Sequence, residues 1–86
     1  MNDEAAVNEE SIRTQVVGVL KTIAPEIEDD LEPTRPLRDQ VDLDSMDWLN
    51  FLVAVHEKFG VDIPEADYAK LVALQDIVTY LGRKLS

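Results

Sequence analysis

Apolar residues recur along the chain at helical spacing in three stretches, and no stretch shows the alternation of a strand. Ile12, Val16, Val19, Leu20 and Ile23 fall at i, i+4, i+7, i+8 and i+11, one stripe of an amphipathic helix. Asn8 is placed to cap its start, Glu9 and Glu10 follow where the helix dipole favours negative charge, and Pro25 stops it. A second helix is predicted from about Ser45 to Phe59, capped by Asp44 or Ser45 and closed by Gly60. Trp48, Phe51, Leu52, Val55 and Phe59 make one of its stripes, and Met46, Leu49 and Val53 make an adjacent one. A helix apolar over more than half its circumference is either central to a bundle or keeps an apolar edge for a partner. Pro64 suits the first position of a short third helix reaching about Tyr68. Leu74, Ile77, Val78, Leu81 and Leu85 form the last stripe, with Arg83 and Lys84 at the dipole-favoured end. The start of that helix lacks a cap: Ala73 stands where Ser, Thr or Asp is expected, a deficit of about 1 kcal/mol.

Residues 25–43 hold Pro25, Pro33, Pro36 and the acidic cluster Glu26, Glu28, Asp29, Asp30 and Glu32, too broken for a long element. A connection of this length exceeds the usual helix–helix loop, so it is read as a functional loop pinned by Leu31, Leu37, Val41 and Leu43. The expected architecture is all-α: a small bundle of three longer helices plus one short one, with a long loop between the first and second. Residues 1–86 are expected as one domain, with 1–7 a flexible tail.

Eighteen acidic against eight basic residues give a net charge of −10. Such a surface repels nucleic acid and anionic lipid and speeds encounter with basic partner surfaces. There is no cysteine, so no disulfide framework or thiolate metal site is available. The first ten residues are polar and acidic, unlike a secretory signal, and no apolar run is long enough for a membrane span. A cytoplasmic monomer is the expectation.

Chemistry centres on Asp42-Leu43-Asp44-Ser45-Met46-Asp47, a serine among carboxylates at a helix start. His56, the single histidine, lies eleven residues further along the same helix. That separation is about 16 Å of rise, so it cannot act as a base on Ser45 and is read as a helix-surface histidine. Asp42, Asp44 and Asp47 lack the glycine and the bidentate Glu of a calcium loop, so no metal site is assigned. Dispersed carboxylates in so small a bundle offer no cleft for acid–base work, and the chain is read as not an enzyme. Asp-Ser before a helix is by itself an ordinary capping arrangement.

Asp44-Ser45-Met46, an apolar helix ending in Glu57-Lys58-Phe59-Gly60, and then Val61-Asp62-Ile63-Pro64 form an ordered set. In this set the chain resembles the acyl carrier protein family, over about Ile12 to Leu85. The resemblance implies that Ser45 receives 4′-phosphopantetheine from coenzyme A through a phosphodiester, and that acyl groups ride on its terminal thiol as thioesters. It implies as partners a phosphopantetheinyl transferase and acyl-loading and acyl-transfer enzymes of a fatty-acid, polyketide or specialised lipid pathway. An aminoacyl or peptidyl carrier for nonribosomal synthesis, and a helical adaptor without the arm, are the alternatives. A recognition face of Asp44, Met46, Asp47, Val53 and Glu57 is expected to dock on basic surfaces.

The departures from the family pattern point to a specialised, freestanding carrier. Asn50, His56 and Lys58 are neutral or basic where typical fatty-acid carriers are acidic, and the glycine usual before the serine is replaced by Val41-Asp42-Leu43. Trp48 is unusually large one turn from Ser45, where it is expected as a core residue or at the mouth of an acyl pocket.

Overall fold

The computed structural model describes residues 8–27 and 31–85; the expected tail at 1–7, together with Glu28, Asp29 and Asp30, lies outside the described residues. Four α-helices follow in order, α1 (Glu9–Ile23), α2 (Leu37–Gln40), α3 (Ser45–Phe59) and α4 (Leu74–Leu85), with a 3-10 helix (Glu65–Lys70) before the last. The first stripe folds as its spacing dictates. Asn8 is the N-cap of α1, its side chain accepting the Glu10 and Ser11 N–H groups, and Ile12, Val16, Val19 and Leu20 are buried. α1 packs against both α3 and α4. The core between them is completed by Phe51, Leu52 and Val55 of α3 and Leu74, Ile77, Val78 and Leu81 of α4.

The long connection is pinned as expected at Leu37, Val41 and Leu43, all buried, whereas Leu31 is half-buried. Sequence pattern did not predict α2. It is a single turn, too short to show periodicity, and its support is tertiary. The Leu37 N–H donates to the Val72 carbonyl at 2.9 Å, and the Gln75 N–H donates to the Pro33 carbonyl at 2.9 Å. The Gln40 amide fastens the same loop, accepting the Glu32 N–H at 2.7 Å and donating to the Glu32 and Arg35 carbonyls.

Two expectations need correction. Pro64 caps the third helix rather than opening it, and that helix is 3-10, starting at Glu65 and running beyond Tyr68 to Lys70. It buries no residue of its own, so no apolar stripe holds it to α geometry. The Tyr80 hydroxyl ties it to α4 by donating to Asp67 Oδ2 at 2.6 Å, while Lys70 pairs with Asp67 within the 3-10 helix at 3.6 Å and Lys84 lies over the Tyr80 ring within α4. The start of α4 is also not left open. Asp76 reaches back from the first turn, and its carboxylate accepts the Ala73 N–H at 2.9 Å and the Val72 N–H at 3.3 Å, which replaces the missing side-chain cap.

Candidate functional site

The turn into α3 sets the geometry around Ser45. Asp44 has extended backbone and is the N-cap, its carboxylate accepting the Asp47 N–H at 2.8 Å. Ser45 is therefore the first residue of the helix. It is exposed, and its hydroxyl makes no hydrogen bond among the described residues. The capping work is done by the aspartate, which leaves the serine oxygen accessible to a partner. At the other end Gly60 takes the left-handed conformation (φ 63°, ψ 30°) that closes the helix, its N–H donating to the His56 carbonyl. His56 is half-buried rather than standing on the surface: its ring Nδ1–H donates to the Val61 carbonyl at 2.6 Å and ties the following loop to the helix. Among the described residues, no three His, Asp or Glu side chains are placed to share a metal ion, and no helix is long and apolar enough to cross a membrane.

α3 buries Phe51, Leu52 and Val55 and leaves Met46 63%, Leu49 39% and Val53 41% exposed. Met46, Leu49, Val53 and Glu57 are spaced i, i+3, i+7 and i+11, so they line one outward stripe that begins beside Ser45. Of the residues assigned to a recognition face, Met46, Val53 and Glu57 lie along this stripe and Asp44 stands at its serine end. Asp47 does not join them; it is half-buried on the flank between the stripe and the core. Leu49 belongs to the stripe and was absent from the expected set, although its spacing from Met46 and Val53 carried the signal.

Trp48 is half-buried, its ring tilted 37° against Phe51 with centroids 5.3 Å apart. With Pro36, Arg38, Tyr68, Ala69, Leu71 and Val72 it lines a pocket of about 270 Å³. Trp48 lies three residues from Ser45, so this pocket is one helical turn from the serine. Larger hollows, about 600 Å³ between α1 and α3 and about 520 Å³ beside the loop before α2, include neither Ser45 nor Trp48 in their walls.

The family described as "Phosphopantetheine attachment site" matches residues 10–81. Among curated proteins, the acyl carrier protein of Acidothermus cellulolyticus is 32% identical over 77 residues, covering 90% of this chain and 92% of its own. The acyl carrier protein of Campylobacter hominis is 33% identical over 72 residues, covering 84% and 86%. A solved acyl carrier protein from Enterococcus faecalis superposes with a TM-score of 0.67 at 25% identity, covering 84% of this chain and 96% of that one. A solution structure of an acyl carrier protein homologue from Anaplasma phagocytophilum gives a TM-score of 0.80 at 28% identity, covering 91% and 92%. With a match that runs from the first helix to the last, the chain belongs to the acyl carrier protein family, whose members carry a covalently attached 4′-phosphopantetheine.

Proposed function

We propose that Ser45 is the attachment residue, and that the chain carries acyl groups as thioesters between enzymes of a fatty-acid, polyketide or specialised lipid pathway. The observation that carries this reading is the Ser45 hydroxyl itself: exposed, unbonded among the described residues, at the first position of the helix and within the matched segment. When attached, the arm supplies a flexible thiol that holds the acyl group.

This chain's own residues do three things. Ser45 offers the oxygen that replaces the nucleotide portion of coenzyme A on phosphorus, its proton passing to the modifying enzyme, since the Asp44 carboxylate is engaged in capping the helix and His56 lies eleven residues along it. Asp44 fixes the helix start, so the hydroxyl is presented in one place. The stripe of Met46, Leu49, Val53 and Glu57, flanked by Asp44, forms an apolar surface with acidic ends for partners whose docking face is basic. Trp48 forms the wall of the pocket next to Ser45, where it is placed to cover a short acyl chain. The chain acts as a monomeric carrier in the cytoplasm and not as a catalyst.

The test is an intact-mass spectrum after reaction with coenzyme A and a broad-specificity phosphopantetheinyl transferase. A gain of one phosphopantetheine that disappears in Ser45→Ala is expected. A wild type that stays unmodified would reject the reading in favour of an adaptor. Loading the modified protein from acyl-thioester donors but not from adenylated amino acids then separates an acyl carrier from a peptidyl one.

A further inference from the structure

Arg38 is out of keeping with its surroundings. In a chain of net charge −10, a guanidinium is expected to find a carboxylate, and Asp39 and Asp42 are close to it in sequence. Yet none of the described carboxylates pairs with it. Its one hydrogen bond among the described residues is a long one, Nη2 donating to the Leu43 carbonyl at 3.5 Å. Most of its five donors are therefore uncommitted. That carbonyl lies two residues before Ser45, on the extended segment that leads into the serine's turn, and two residues span at most about 7 Å. The same side chain forms one wall of the pocket beside Trp48.

A phosphate joined to Ser45 would enter a crowded acidic neighbourhood. Asp42 precedes the turn, Asp47 follows it, and the Asp44 carboxylate is held in place by the Asp47 N–H and cannot swing away without uncapping α3. A phosphodiester keeps its negative charge at every physiological pH, so a cation nearby would offset the repulsion from these carboxylates, and a guanidinium matches two phosphate oxygens at once.

We propose that Arg38 is the counter-ion of the arm, its guanidinium leaving the Leu43 carbonyl to hold the phosphodiester on Ser45. The proposal rests on the carrier reading and assigns a residue to the arm's phosphate. Its consequence is that the arm's first atoms are drawn toward α2 and the Trp48 pocket rather than along the outward stripe of α3, which stays clear for partners.

The experiment compares apo and phosphopantetheinylated forms of wild type, Arg38→Gln and Arg38→Lys. Intact mass establishes that each is fully modified, and apo melting curves establish that each folds. At low ionic strength the holo-minus-apo change in Tm should be more positive in wild type than in Arg38→Gln by roughly 1–6 °C, the size an exposed charge pair produces in a domain this small. Arg38→Lys should fall between the two, and molar salt should shrink the difference. The Arg38 Nε–H resonance should shift on modification. Equal Tm changes in fully modified wild type and Arg38→Gln would overturn the proposal and leave the attachment at Ser45 standing. An unmodified wild type would remove both. A difference that emerges only after loading a half-thioester of a dicarboxylic acid, and not a neutral acyl group, would move the anion from the phosphate to the cargo and overturn the assignment.

Discussion

Replacing Met46 with Gln should weaken docking while leaving the fold intact. Met46 is 63% exposed in the free protein, so covering that share under a partner is worth roughly 1–2 kcal/mol, scaled from a fully buried large apolar side chain. At 1.4 kcal/mol per tenfold, the loss corresponds to about 5- to 30-fold in affinity. The folded state gives up little, because the remaining contacts of the side chain are few and Gln nearly matches Met in helix propensity. The assay is transfer by a purified phosphopantetheinyl transferase at varied carrier concentration, alongside thermal melting. KM for the carrier should rise by that factor with kcat held, and Tm should stay within about 2 °C of wild type. An unchanged KM would show that partners do not cover this stripe. A KM rise accompanied by a large fall in Tm would show that Met46 acts through the bundle and not through the interface.

Asp76→Ala should lower stability by about 1 kcal/mol, because the Val72 and Ala73 N–H groups lose their acceptor at the start of α4, whereas Asp76→Asn should keep part of it. Chemical denaturation of the three proteins checks this, and equal midpoints would refute the capping role. Tyr80→Phe should flatten both ends of the Tm–pH profile. Burial and the Asp67 carboxylate push the Tyr80 phenol up to about 12, so its contribution is complete below pH about 10 and is lost as pH rises through about 12. The same hydrogen bond holds Asp67 below its ordinary 3.8, so that contribution is complete above about pH 4 and is lost as pH falls below it. A Phe variant with wild-type acid and alkaline limbs would remove the bond from the account.

The elements legible in the sequence were those that carry their own periodicity and their own ends. α1 and α3 have both, with Asn8 and Asp44 as caps and Gly60 as a stop, and their bounds agree with the spacing. α2 was not legible: four residues show no period, and what holds Leu37 is a carbonyl 35 residues away at Val72. The cap of α4 was legible in principle, since Asp76 stands three residues after Ala73, where an acid can return to the helix start. At the site, the Ser45 turn and most of the outward stripe could be read from spacing. Arg38 could not, because nothing local distinguishes it from a solvated surface charge; its position is set by the folding of the loop onto α3.

The two backbone hydrogen bonds from the loop to the start of α4, Leu37 to Val72 and Gln75 to Pro33, make the pocket beside Ser45 a door in a fixed frame. Pro36 on one jamb and Val72 on the other are held through their main-chain neighbours, by the Leu37–Val72 hydrogen bond and the bridge between Pro36 and Ala73, so the opening cannot widen by the loop drifting outward unless those bonds break. What can turn without breaking either is the half-buried indole of Trp48 on α3. Amides at Leu37 and Gln75 should thus exchange slowly whether the carrier is empty or loaded.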